Sequence, residues 1–261
     1  MISENRHIVG IYAGIAGCGS GDNAVKLSEM LEKEYPNINI KITSDIENVT
    51  GSVGDVSDCI AVICGTGNIV CAKKNNLYHR LGGWGYLFDD AGSGYTIGRD
   101  AICAALAEKE GIGEKTILTN LVERKINGEI LGKINEIYSK GVGYIASFSE
   151  YVFEAYSKKD RVAERILNKN FSHIANLINH AYKEYNCNAT VVFSGGIAKN
   201  KEIVEIFLQD KIDAKIKVIF PDMPQVYGAC RNCCSSFSTL GKSFKENFKN
   251  DYNKIIKRKG R

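Results

Sequence analysis

No run of eighteen apolar residues occurs in the chain, which is the length a helix needs to cross a bilayer, so no membrane partner is expected. The opening residues, MISENRHIVGIYAG, lack the basic n-region and long apolar core of a secretion signal, and a cytoplasmic protein is expected. Net charge is small: 34 Lys and Arg against 30 Asp and Glu leave an excess of +4. Much of that excess lies between Lys242 and Arg261, in Lys245, Lys249, Lys254, Lys257, Arg258, Lys259 and Arg261. No aromatic platform or base-reading module accompanies these residues, so they read as a solvated helix face and no nucleic-acid partner is expected. The nine cysteines include the cluster Cys230, Cys233 and Cys234, but a closed zinc site needs four ligands and neither a second CxxC nor a His pair stands nearby. No metal site is expected in them. Cys59, Cys64, Cys71 and Cys103, scattered through apolar segments, read as small hydrophobes with free thiols. The chain has no low-complexity segment and no internal repeat.

What is present is enough for a sizeable core: 261 residues, 44% of them hydrophobic. The run His7–Ile15 suits a buried strand, Asp22–Tyr35 an amphipathic helix stopped before Pro36, and Ile38, Ile40 and Ile42 alternate as a strand ending at Asp45. Strand, helix, strand implies a parallel βαβ crossover. Asp58–Cys64 and Ile69–Lys73 read as a hairpin around a turn at Gly65–Gly67. Helical periodicity follows over Ile97–Glu110, Thr116–Lys125, Ile130–Tyr138, Val142–Tyr156 and Arg161–Glu184. A strand at Thr190–Phe193, a helix over Asn200–Asp210, a strand at Ala214–Phe220 and a last helix beginning near Tyr227 complete an α/β layout. Glycine and polar residues in GSVGDVSD mark a lobe boundary at residues 52–57.

The densest chemistry lies in Gly82–Asp100, GGWGYLFDDAGSGYTIGRD. Glycines let backbone approach a ligand closely, Trp84 offers a flat apolar face, and Asp89 and Asp90 offer acceptors to hydroxyls. A sugar asks for both, with an apolar ring face and a rim of hydroxyls.

Other motifs have two readings each. Gly19-Ser20-Gly21-Asp22-Asn23-Ala24 spells the dinucleotide pattern GxGxxA in outline, with Asp45 ending the next strand; a turn that only packs a helix on its strand uses the same glycines. Asp45, at the carboxyl end of a parallel strand, is either a general base for a substrate hydroxyl or the N-cap of the helix it opens. Cys64-Gly65-Thr66-Gly67-Asn68 is a hairpin turn that could cradle a phosphate, or a turn with no ligand. Ser194-Gly195-Gly196 is a second strand-to-helix turn. Two such turns flanking the aromatic and carboxylate loop describe a nucleotide on one side and an acceptor on the other.

In this order the segments resemble the sugar-kinase, heat-shock and actin ATPase superfamily, and within it the N-acetylglucosamine kinases and the BadF/BadG/BcrA/BcrD-type ATPases. Asp45 in TSDIENVTGSV stands where those kinases carry a catalytic aspartate, and CGTGN resembles their second phosphate loop. GGWGYLFDDAGSGYTIGRDA resembles their sugar-side loop, SGGIAKN at Ser194–Asn200 their adenosine-side turn, and PQVYGA at Pro224–Ala229 the start of their closing helix. The resemblance implies an actin-like ATPase (ribonuclease H-like) two-lobe fold and ATP-dependent transfer of the γ-phosphoryl group to a sugar hydroxyl. ATP and Mg2+ would be the cofactors and an amino sugar, N-acetylglucosamine foremost, the partner. Asp45 would be the base; Gly65, Thr66, Gly67, Gly195 and Gly196 would hold ATP; Gly83, Trp84 and Asp90 would line the sugar pocket. Ala91 departs from the glutamate that usually follows the aspartate.

The family also opens with a DGGGT-type phosphate hairpin that this sequence lacks, since VGIYAGIAG resembles the later strand that ends in the family's LAG turn. The first lobe is therefore expected to be incomplete, with residues 1–56 its remnant and 57–261 a C-terminal lobe whose final helix returns toward the first. A truncated sheet leaves an unpaired edge, and a homodimer is among the forms that this allows. Two other readings stay open: an activator ATPase of the acyl-CoA dehydratase type, coupled to an iron–sulfur cluster, and a non-catalytic gene fragment that binds sugar.

Overall fold

The computed structural model describes residues 8–54, 56–89 and 91–259, with side chains as far as Ile255. In chain order the elements are β1 (Gly10–Ile15), α1 (Asn23–Glu34), β2 (Asn39–Ser44), α2 (Asp45–Ser52), β3 (Cys59–Cys64), β4 (Asn68–Lys74), β5 (Leu77–Leu81), α3 (Gly94–Lys109) and α4 (Leu118–Ile126). There follow α5 (Ile134–Ser139), α6 (Gly141–Ala146), α7 (Ser149–Ser157), α8 (Arg161–Glu184), β6 (Thr190–Ser194), α9 (Lys201–Gln209), β7 (Lys217–Ile219), α10 (Gln225–Phe237) and α11 (Phe244–Lys259). The chain divides into two compact units, Met1–Val56 with Pro221–Arg261, and Ser57–Phe220. All of Pro221–Arg261 thus groups with the first unit, where the sequence suggested a second lobe running to residue 261.

In the first unit β1 and β2 pair in parallel, Gly10 opposite Asn39 through Ile15 opposite Ser44, with α1 as the crossover. A polar cluster ties this small sheet to α2 and α10. The Tyr12 hydroxyl donates to Glu47 Oε2 at 3.0 Å and accepts from Thr43 Oγ1 and Asn232 Nδ2, each at 3.1 Å. Burial, aided by the Glu47 carboxylate, pushes the Tyr12 phenol up to about 12. Asn232 Nδ2 also donates to the Glu47 carbonyl at 3.0 Å. Helices α10 and α2 meet backbone to backbone: a Cβ on Gly228 would overlap the Asn48 carbonyl oxygen and stand 2.8 Å from Ser52 N. Phe244, Phe248 and Tyr252 recur every four residues along α11, and Phe244 and Phe248 lie 5.6 and 5.2 Å from the Tyr227 ring on α10. The basic tail therefore has an apolar stripe as well as a charged face.

The second unit is built on a five-stranded sheet, order β5-β4-β3-β6-β7. Strands β3, β6 and β7 are parallel; β4 pairs antiparallel with β3, and β5 antiparallel with β4 at the edge. Strand β3, CIAVIC, is sealed on both faces, with Cys59, Ile60, Ala61, Val62 and Cys64 all fully buried. The long helix α8 covers the sheet with Leu167, Phe171, Ile174 and Ile178 in one core with Ile60, Val62 and Phe193. It spans the residues the periodicity predicts, because Asp160 caps it by accepting from Ala163 N at 2.9 Å. The expected helix Val142–Tyr156 is divided at Ser147–Phe148, where Phe148 is driven fully into a second, smaller core. Strand β5 was not expected from sequence. Asn75 and Asn76 turn the chain at φ 49° and 62°, the left-handed pair that a two-residue hairpin requires.

All nine cysteines carry free thiols. Cys59, Cys64, Cys71 and Cys187 are buried, and Cys230, Cys233 and Cys234 are half-buried on α10. Cys103 differs from the expectation of a core position: it is exposed on α3.

Candidate functional site

Parallel strands end side by side at Cys64 and Ser194, with Ile63 opposite Ser194 in the register. Chain turns that follow adjacent parallel strands are where open α/β sheets place ligands. After β3 the turn closes through Gly65 N donating to the Gly67 carbonyl at 2.8 Å. It is bonded to the first turn of α3, Gly94 N donating to the Gly65 carbonyl at 2.7 Å and Tyr95 N to the Thr66 carbonyl at 3.0 Å. Those amides have no partner inside their own helix, and the turn satisfies them. Ser93 completes the cap by accepting from Thr96 N at 3.0 Å.

After β6 the chain passes through Gly195 at φ 102° and ψ −179°, backbone that is essentially glycine's alone. A Cβ there would overlap the Cys64 carbonyl oxygen, so the two glycine turns lie in contact. Gly195→Ala is expected to cost about 1–3 kcal/mol from the forced backbone region alone and to disorder both turns. Thermal melting with nucleotide titration of the same variant checks this; a melt and an affinity unchanged from the parent would refute it.

The turns open on two clefts. One, of about 350 Å³, is lined by Gly65, Thr66, Gly196, Lys199 and Asn200 and, from the helical side, by Ser147, Glu150 and Phe153. The other, of about 210 Å³, is lined by Thr66, Gly67, Asn68, Gly83, Gly85 and Tyr86. Thr66 belongs to both. The five glycine-turn residues marked in the sequence thus come together, and Gly83 joins them at the smaller cleft.

Trp84 lies outside that lining, 59% exposed, with the Arg80 guanidinium 4.4 Å from its ring centre. Arg80 Nε also donates to the Gly82 carbonyl at 2.9 Å and Nη2 to the Gly83 carbonyl, fixing the glycine turn beneath the ring. Leu87 and Phe88 are 71% and 86% exposed, so the loop carries an apolar tip into solvent. Asp90 lies outside the described residues.

Asp45 belongs to the first unit, half-buried at the end of β2 as the first residue of α2. Its alternative reading as the helix cap is corrected: Ser44 is the cap, its Oγ accepting from Ile46 N at 3.5 Å and donating to Asp45 Oδ1 at 3.2 Å.

Sequence reasoning gave Asn68 no role, yet it is a lining residue only 7% exposed. Its Nδ2 donates to the Ala91 carbonyl, while Oδ1 is buried and has no partner among the described residues. The signal was its place at the end of the CGTGN turn. No group of three His, Cys, Asp or Glu that could hold a metal occurs among the described residues.

A family profile described as the BadF/BadG/BcrA/BcrD ATPase family matches residues 7–230. The chain is 35% identical over 164 residues to an N-acetylmuramic acid/N-acetylglucosamine kinase of Clostridium acetobutylicum, covering 60% of this chain and 53% of that protein. It is 29% identical over 162 residues to an N-acetyl-D-glucosamine kinase of Dictyostelium discoideum, covering 59% and 51%. The chain spans about half the length of these curated relatives. Among solved structures, a Porphyromonas gingivalis protein described as an N-acetylglucosamine kinase superposes with a TM-score of 0.69 at 20% identity, over 90% of this chain and 79% of the other. A ROK family glucokinase from Streptomyces griseus, in complex with glucose and AMPPNP, gives 0.59 at 14% identity, over 88% and 82%. At these identities the likeness establishes the fold, which is α/β and actin-like.

Proposed function

The chain belongs to the BadF/BadG/BcrA/BcrD ATPase family, and from that premise we propose that it is an ATP-dependent sugar kinase acting on an amino sugar, N-acetylglucosamine foremost. One observation carries the reading: two clefts of unlike lining meet at Thr66, between two glycine turns that touch. The larger cleft suits the nucleotide. Its glycines leave room for phosphate oxygens to approach backbone, and Lys199 supplies positive charge at its edge. The smaller cleft suits the sugar, with Asn68 Oδ1 as an acceptor and Tyr86 as an apolar wall.

In the proposed reaction a sugar hydroxyl loses its proton to the Asp45 carboxylate while its oxygen forms a bond to the γ-phosphorus of ATP. The bond from that phosphorus to the bridging β-γ oxygen breaks, and ADP leaves with the electron pair. Thr66, shared by both clefts, would hold the transferred phosphoryl group. Magnesium is implied by the family and would neutralise charge on the phosphates when bound. The protein is expected to act away from membranes; no described helix is long and apolar enough to cross one.

Calorimetric titration of the purified chain with N-acetylglucosamine, then with ATP and magnesium in its presence, tests the reading. Binding of both, followed by ADP release in a coupled assay, is the expected result. Sugar binding without nucleotide binding would identify a sugar binder, and binding of neither would overturn the assignment.

A further inference from the structure

The loop bearing Asp89 is seated on one stripe of α8. Asn170, His173, Ile174 and Leu177 are spaced by three and four residues and so share a face of that helix. Asn170, fully buried, accepts from Gly92 N through Oδ1 at 2.8 Å and donates to the Ile166 carbonyl at 2.8 Å. The Gly92 carbonyl receives the Cys64 thiol at 2.8 Å, and a Cβ on Gly92 would come within 2.5 Å of Ile174 Cγ1. At the other end of the loop, a Cβ on Gly82 would stand 3.1 Å from Leu177 Cδ1 and 2.9 Å from Asp89 Oδ2. Both ends are fixed by contact.

His173 lies along the stripe between them. Its Nε2 is buried and has no hydrogen-bond partner among the described residues, while Asp89 Oδ1 stands 3.4 Å away. A buried ring nitrogen facing a carboxylate oxygen at that distance is a bond lacking only its final alignment, since catalytic-site hydrogen bonds are commonly long before ligand binds and tighten with it.

We infer that His173 is a positioning residue for the sugar site: with a proton on Nε2 it donates to Asp89 and locks the Gly82–Gly92 loop, whose Gly83, Gly85 and Tyr86 line the smaller cleft. The inference rests on reading that cleft as the sugar site. His173 touches neither substrate nor reacting atoms; it acts through Asp89.

Two substitutions in the full chain separate a donor from a filler. His173→Leu keeps volume and removes the donor, whereas His173→Gln keeps an N–H that reaches Asp89. For His173→Leu, the dissociation constant and KM for N-acetylglucosamine are expected to rise about tenfold, the worth of one hydrogen bond to a charged group, with kcat within about twofold. His173→Gln should restore both constants. Asp89→Ala combined with His173→Leu should lose no more than the worse single variant, because either change alone removes the same bond. Amide hydrogen exchange in Gly82–Gly92 should quicken in His173→Leu and stay slow in the core of α8. Wild-type sugar affinity in His173→Leu, or a glutamine variant as impaired as the leucine one, would overturn the assignment. If the parent chain binds no sugar, the proposed function fails by itself and the exchange comparison decides: a loop exchanging no faster in His173→Leu overturns the inference, and a faster one upholds it.

Discussion

Asp45→Asn is expected to bind N-acetylglucosamine with nearly parental affinity while turnover falls by about 10²–10⁴-fold, the range a single general base contributes. The geometry makes this a clean substitution. Asp45 is half-buried, and its recorded partner is the Ser44 hydroxyl at 3.2 Å, which an asparagine oxygen accepts equally well. Ser44, not Asp45, caps α2, so the helix keeps its end. What the amide cannot do is take a proton from an attacking hydroxyl. Single-turnover phosphate transfer beside a thermal melt gives the result: an unchanged melt with collapsed turnover assigns the base, and full activity would remove Asp45 from the chemistry.

Gly228→Ala is expected to destabilise the first unit by about 3 kcal/mol, the upper end of the overpacking range. The added carbon would overlap the Asn48 carbonyl oxygen, which is backbone on α2 and has no rotamer by which to withdraw. Helices α10 and α2 must then separate, and with them goes Asn232, one turn further along α10, whose amide joins Tyr12 to the Glu47 carbonyl. Urea unfolding followed by tyrosine fluorescence measures the loss. Gly241→Ala is the control, because a Cβ there meets nothing within 4 Å and its effect should stay within about 0.5 kcal/mol. Equal midpoints for the two variants would show that the helices do not approach this closely.

Much of the scaffold was legible in the sequence because its signals are local. Helix α8 declares itself by 24 residues of apolar stripe with an aspartate cap, and the βαβ crossover by its alternation and glycines. Strand β5 was hidden because LYHRL is a half-exposed edge strand with no apolar run, and only the Asn75-Asn76 pair announces it. The division between α6 and α7 was hidden because Ser147 and Phe148 break neither period nor composition; what bends the chain there is burial of one aromatic ring. In the site the glycines could be read, since backbone that only glycine adopts leaves its mark at a single position. Asn170 and His173 could not. Their partners, Gly92 and Asp89, lie some eighty residues earlier in the chain, and no local pattern on α8 distinguishes a residue that seats a loop from one that fills a core.

The bonding of the Gly65–Gly67 turn to the first turn of α3 also makes that helix a gauge. Gly94 and Tyr95 at its tip hold the turn, and Cys103, about two and a half turns further along, is exposed. Partial desolvation and the Asp100 carboxylate push the Cys103 thiol up, so alkaline buffer favours its reaction with a maleimide dye. A fluorophore placed there stands outside both clefts, yet rides on the helix to which their shared turn is bonded. Its emission would report occupancy of the turn in real time without a substituted residue near either ligand.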